Sequence, residues 1–149
     1  MELIKYNQAI TECNRDFRYQ YDHHRYGLTD SWRILDKNGK GDCEDYALTV
    51  AWIFSDRNFF KFLKIFKSKE FILHYVTVNG EGHAVLEYNG RFVDNIEKRT
   101  LSKKQFERKG YQFILQFSVN QIVFRLIKGY TIGTIGSAIR NLRQFLGLN

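Results

Sequence analysis

Three residues of this chain have the right types, in a workable order, to do chemistry together: the thiol of Cys43, the imidazole of His83 and the carboxylate of Asp94. A thiol attacks a carbonyl once a base takes its proton, and the base works best when a third group holds its ring, so the set suits acyl transfer. Cys43 lies in Gly41-Asp42-Cys43-Glu44-Asp45-Tyr46-Ala47, followed by an apolar run, Leu48 to Phe54, without Gly or Pro. That run predicts a buried helix with Cys43 at or near its first turn. Gly39 and Gly41 loosen the chain just upstream, and Asp42, Glu44 and Asp45 sit where a helix N-terminus tolerates acid. A thiol there faces the positive end of the helix dipole, which lowers its pKa. A free cysteine is as well suited to be a small core hydrophobe, and position alone leaves both readings open.

The partners come from a predicted hairpin. Glu81 to Tyr88 alternates like a strand, and Arg91 to Asn95 follows the turn pair Asn89-Gly90. Counting outward from that turn, Tyr88 faces Arg91. His83 on the first strand then lies roughly opposite Ile96 and diagonal to Asp94 on the second, so ring and carboxylate can be neighbours.

The blocks Gly41 to Ala47, Gly82-His83-Ala84-Val85-Leu86 and Val93-Asp94-Asn95, in that order, resemble the bacterial transglutaminase-like cysteine protease family, part of the papain-like and transglutaminase group. The resemblance covers roughly residues 1 to 100. It implies that Cys43 is the nucleophile, His83 the base and Asp94 the group that orients His83. Family members that cleave biofilm adhesins in the periplasm hold calcium with acidic residues flanking the nucleophile. Asp42 and Glu44 match those positions, and Asp45 is a further candidate ligand. The residues themselves allow another role for these three, capping the helix and bonding backbone N–H groups. The acyl-transfer chemistry itself requires no cofactor.

The expected fold is α+β: a papain-like or transglutaminase-like core with the Cys43 helix packed on an antiparallel sheet bearing His83 and Asp94, plus a C-terminal amphipathic helix. Residues 1–119 form the expected peptidase domain and 120–149 a basic extension. The expected activity is that of a cysteine peptidase-like hydrolase, cutting a peptide or isopeptide bond in a protein or peptide substrate. The same site could also deamidate or cross-link. The Cys43 backbone N–H is the natural oxyanion donor. The alternative is a catalytically silent structural or binding module of a larger, phage-type assembly, docking through its basic C-terminal segment.

Several elements must position these groups. Leu3, Tyr6, Ile10, Cys13, Phe17 and Tyr21 recur at three- and four-residue steps, which predicts one helix over 3–21 with Cys13 on its core face. A polar loop, 22–30, contains Gly27 and the pair His23-His24. Trp32 resembles an aromatic that precedes the cysteine block in the family, and it suits the core equally well. Ser55-Asp56 reads as the N-cap pair of a helix from Asn58 to Phe66 whose lysines, Lys61 and Lys64 with Lys67 and Lys69 beyond, form a solvated face. Phe71 to Val78 predicts the first strand, with His74 as a structural histidine. Ser102 with Gln105 signals a capping box for a short helix ending near Gly110, and Tyr111 to Val119 alternates as another strand. Ile132, Ile135, Ile139, Leu142 and Leu146 form the stripe of a final helix entered through Gly129, Gly133 and Gly136.

Composition narrows the classes further. A chain of 149 residues, 44% hydrophobic and 16% aromatic, is one packed domain rather than a disordered segment. Cys13 and Cys43 cannot make a disulfide framework, and with the four histidines they show no paired zinc-ligand spacing. The N-terminus does not read as a signal peptide and no run is long enough to span a bilayer. A reducing compartment such as the cytoplasm, or a virion, fits a cysteine that must stay reduced. Residues 1–95 carry 13 basic and 14 acidic side chains, whereas residues 96–149 carry 10 basic and 2 acidic. The C-terminal third, and 120–149 in particular, can therefore meet an anionic surface or an assembly partner. Interleaved aromatics suited to stacking on bases are sparse there, which argues against a specific nucleic-acid reader.

Overall fold

A computed structural model of the chain describes residues 1–20, 31–35 and 39–145. The loop 22–30 with His23 and His24, Tyr21, and Leu146 lie outside the described residues. Helix α1 (Glu2–Asp16) is followed by two short segments, β1 (Arg18–Tyr19) and β2 (Lys40–Gly41), which pair in parallel. Helix α2 (Cys43–Phe54) leads into α3 (Phe59–Lys67) and then to a four-stranded sheet of β3 (Phe71–Val78), β4 (Glu81–Tyr88), β5 (Arg91–Val93) and β6 (Gln112–Gln116). The strand order is β5-β4-β3-β6, antiparallel throughout. Helix α4 (Lys103–Arg108) precedes β6, and α5 (Val119–Phe145) ends the described chain.

Helix α2 lies against β4, with α1 packed against α2. The main core fills the space between them: Tyr6 and Ile10 from α1, Leu48 and Phe54 from α2, and Phe71, Leu73 and Leu86 from one face of the sheet. Tyr6, Phe54, Phe71 and Tyr88 form an aromatic knot with centroids 4.8–6.5 Å apart. The other sheet face buries Val76, Val85 and Phe92 under Phe106 of α4. This follows from the two-residue strand period, which sends alternate side chains of β3 and β4 into different cores.

Several boundaries differ from the sequence expectation, each for a local reason. Helix α1 stops at Asp16, not Tyr21. Phe17 is extended and still buried at 3% exposure, while the Arg18 N–H turns to Gly39 O at 2.6 Å to pair β1 with β2. Ser55 caps no helix start; its hydroxyl donates to Ala51 O and closes α2. Asp56 and Arg57 then take positive φ, which delays the next helix until Asn58, whose side chain accepts from the Lys61 N–H. Lys61, Lys64, Lys67 and Lys69 are all exposed. The Ser102–Gln105 capping box is present. The final helix begins much earlier than its predicted stripe, because Ser118 and Gln121 form a second capping box: Gln121 N–H donates to Ser118 Oγ and Ser118 N–H to Gln121 Oε1. That helix runs unbroken through Gly129, Gly133 and Gly136, and its Ile122 and Leu126 lie in the main core at 1% and 7% exposure. Among the described residues, no helix is long and apolar enough to cross a membrane.

Candidate active site

Several residues of the Gly41 to Ala47 block have clear physical roles. Gly41 is pressed so close to its surroundings that a Cβ there would lie 2.4 Å from Asp45 Oδ2 and 2.5 Å from Leu35 Cδ2. Cys43 is the first residue of α2, and Asp42 is its N-cap by position but makes no side-chain capping bond. Asp45, 1% exposed, accepts from the Arg33 backbone N–H at 2.6 Å and so latches segment 31–35 onto α2. Tyr46, fully buried, stacks edge-on with Phe17 and donates its hydroxyl to Asn14 Oδ1 at 2.7 Å. The amide of Asn14 in turn donates to Lys98 O at 2.7 Å, tying α2 to the turn that begins at Asp94.

The hairpin registers as the sequence predicts, with Tyr88 opposite Arg91 and positive φ at both Asn89 and Gly90. Strand β5 closes at Val93, one residue short of Asp94, so Asp94 opens a turn instead of extending the strand. The last β4–β5 pair is Leu86 with Val93, which leaves His83 three residues beyond it and able to meet Asp94 diagonally. His83 Nε2 donates to Asp94 Oδ2 at 2.8 Å. Asp94 is fully buried, and its remaining capacity is filled by the Glu97 N–H on Oδ1 at 2.7 Å and the Tyr111 hydroxyl on Oδ2 at 2.7 Å. With Nε2 engaged, the ring's free acceptor is Nδ1.

Cys43, Glu44 and His83 line one cavity of about 350 Å³, walled further by Trp32, Leu115 and Arg125. Trp32 fills both roles left open for it: it is buried in the core and lines the cavity, edge-on to Phe117 and under the Arg125 guanidinium. Leu115 reaches the cavity because β6 is bulged at Ile114. Phe113 pairs with Val76 but Leu115 with Tyr75, so side chains two residues apart point to opposite sheet faces. His74 stands apart, bonded to Glu87 at 2.6 Å in the second core, the structural role expected of it. Cys13 is buried in the main core.

Electrostatics reverse one expectation. The helix dipole alone would lower the Cys43 pKa, yet the thiol is pushed well up, chiefly by burial and then by the adjacent Glu44 carboxylate, to whose Oε2 the sulfur donates at 3.1 Å. Asp42 adds to the rise, and a hydrogen bond from the Ala84 backbone opposes it. The resting Cys43 side chain is a neutral thiol. Glu44→Gln should therefore speed alkylation of Cys43 at neutral pH. Each unit by which the thiol comes down raises the thiolate fraction tenfold and lowers its intrinsic nucleophilicity about threefold, a net gain of about threefold. Iodoacetamide kinetics followed by peptide mass spectrometry measure this, and an unchanged rate would leave burial, without Glu44, as the cause.

Of the candidate calcium ligands, Asp45 accepts from the Arg33 N–H and Glu44 from the Cys43 thiol, and among the described residues no three His, Cys, Asp or Glu side chains are grouped to hold a metal.

The model of the bacterial transglutaminase-like cysteine proteinases matches residues 2–127. The chain belongs to this family. No curated protein sequence matches it. Membership places the chain in a cysteine proteinase-like group of enzymes, and its helices with an antiparallel sheet have the α+β, transglutaminase-like form expected from the sequence. The family match extends past the hairpin through β6 and into the first turns of α5, the part that carries Arg125 and the core residues Ile122 and Leu126. Sequence reasoning missed Asn14 and Tyr111. Both lie at element ends, where period-based patterns carry little information, and neither belongs to a motif.

Proposed function

We propose that this protein is a cysteine hydrolase that cleaves a peptide or isopeptide bond by acyl transfer. Cys43 is the nucleophile, His83 the acid–base group and Asp94 the carboxylate that orients it. The observation that carries this reading is the His83 Nε2 to Asp94 Oδ2 bond of 2.8 Å, which leaves Nδ1 as the base for a thiol in the same cavity. The Cys43 sulfur adds to the amide carbonyl as its proton passes to His83 Nδ1. The oxyanion is met by the Cys43 backbone N–H, one of the N–H groups left unbonded at a helix start. The imidazolium then protonates the leaving nitrogen, the C–N bond breaks, and a thioester remains. Water, giving its proton to Nδ1, adds to the thioester and releases the carboxylic acid and the thiol.

Mass spectrometry of the trapped acyl-enzyme and its products tests the reading. Cleavage, deamidation and cross-linking change substrate mass differently, and no adduct on Cys43 from any peptide substrate would defeat it.

The cavity wall points to the accepted side chain. Trp32, Phe117 and the bulge-directed Leu115 offer an apolar surface beside the sulfur, so acyl donors with an apolar side chain near the scissile carbonyl should react fastest. With peptidyl acyloxymethyl ketones, a leucine-bearing probe should label Cys43 about tenfold faster than its glutamate counterpart, and Leu115→Glu should erase that preference. Equal labelling of both probes by the unaltered protein would count against the subsite.

A second reading, a catalytically silent binding module, draws on the protonated state of the thiol. The His83 dependence of Cys43 reactivity separates the two.

A further inference from the structure

We propose that Tyr111 is a positioning residue for the His83–Asp94 pair, holding the Asp94 carboxylate in the one orientation that serves the imidazole. The proposal rests on the acyl-transfer reading above and assigns a fourth member to that machinery.

Tyr111 stands just before β6, behind Asp94 and 4% exposed. Its hydroxyl donates to Asp94 Oδ2, the same oxygen that accepts from His83 Nε2, at 2.7 and 2.8 Å respectively. The Glu97 N–H holds Oδ1. Three donors on a fully buried carboxylate oppose its rotation, because turning about the Cβ–Cγ bond breaks all of them together. Without Tyr111, Oδ2 would keep only its bond to the very ring it must orient.

The hydroxyl is aimed by packing that sequence patterns do not reveal. The Tyr111 ring meets Phe106 edge-on at 4.7 Å, and Phe106 is itself fully buried on α4, which the Ser102–Gln105 capping box anchors. Gly110, with φ +90°, makes the reversal between α4 and Tyr111, whose N–H returns to Phe106 O at 3.2 Å. The ring also lies edge-on to His83 at 5.9 Å, so one side chain supports both partners. Burial and the Asp94 carboxylate push the Tyr111 hydroxyl well above its ordinary pKa, which keeps it a donor throughout the working pH range.

The functional consequence is geometric: His83 Nε2 stays bonded to Asp94 and Nδ1 stays turned to the other side of the ring, available to the thiol.

The test compares the full chain with Tyr111→Phe and His83→Ala by three readouts: the iodoacetamide rate at Cys43, the melting temperature, and the low-field proton resonance of His83 Nε2–H, assigned by its loss in His83→Ala. Phenylalanine keeps the ring against Phe106, so the fold should be retained. The expected result is about tenfold slower alkylation in Tyr111→Phe at nearly unchanged melting temperature, with the His83 resonance displaced. If His83→Ala slows alkylation while Tyr111→Phe leaves rate and resonance alone, the positioning role is overturned and the acyl-transfer reading stands. A slower rate with an unmoved resonance also overturns it, because the effect would then be packing. If His83→Ala leaves Cys43 as reactive as before, the acyl-transfer reading fails and the positioning role falls with it.

Discussion

Replacing His83 with alanine is expected to slow covalent modification of Cys43 by about 10²- to 10⁴-fold at neutral pH, the range usually supplied by a positioned acid–base group. The expectation is this large because the thiol is neutral at rest. Burial and the Glu44 carboxylate hold its pKa high, so there is no reserve of thiolate to react unaided. In the proposed mechanism the proton leaves during attack and His83 Nδ1 takes it, because Nε2 is bonded to Asp94. Without the imidazole, the rate should follow spontaneous ionisation and climb about tenfold per pH unit through the alkaline range. The unaltered protein, with the imidazole as base, should instead react at neutral pH and depend far less steeply on pH. Asp94→Asn should approach the His83→Ala loss, because an asparagine can present an N–H to Nε2 and force the proton onto Nδ1, the wrong nitrogen for a base. Alkylation measured against pH for the three proteins, with buried Cys13 as the unreactive internal standard, reads this directly. If Cys43 in His83→Ala reacts at the unaltered rate, His83 is no base for it and the silent-module reading takes precedence.

Much of this site was legible in the sequence because it is built from local chemistry. Asn89-Gly90 dictates a two-residue turn, the turn sets the register, and the register brings His83 and Asp94 together. The apolar run after Cys43 likewise announces a buried helix, and that helix begins at Cys43. What the sequence obscured depends on contacts distant along the chain. The dipole at the start of α2 is a local feature and points the thiol one way, whereas burial is tertiary and drives it the other. Phe17 keeps the helical spacing of α1 and stays in the core, although pairing with β2 has already drawn the backbone out of the helix. Ile114 reads as an ordinary strand residue, yet the bulge there decides that Leu115 lines the same cavity as Cys43. The Ser118–Gln121 capping box was readable, but the alternation running on from Tyr111 carried the strand expectation over it and hid the start of α5.

Gly129→Val is expected to lower stability by about 3 kcal/mol or more. The reason is the way α5 seats. Ile122, Leu126 and Gly129 fall on one face of the helix, and at Gly129 the helix backbone meets the backbone of Trp32. A Cβ there would lie 2.1 Å from Trp32 O and 2.7 Å from Trp32 N. Both are main-chain atoms, so no side-chain rotation relieves the clash, and either α5 or segment 31–35 must move. Ser31 Oγ, which donates to Gly129 O at 3.2 Å, would lose that bond. A suitable control is Gly90→Ala, where a positive φ of 74° is strained but nothing lies within 4 Å, for an expected cost of about 1 kcal/mol. Urea unfolding of the two variants should therefore differ clearly. Because Trp32 and Arg125 wall the cavity, Gly129→Val should also alter the reactivity of Cys43, which Gly90→Ala should leave alone. Equal stability and reactivity for the two variants would mean that α5 is not seated on segment 31–35, and a separable basic tail from residue 120 onward would become the better description. A large loss would make the first half of α5 a wall of the candidate active site, leaving only its distal turns free to meet an anionic surface or partner.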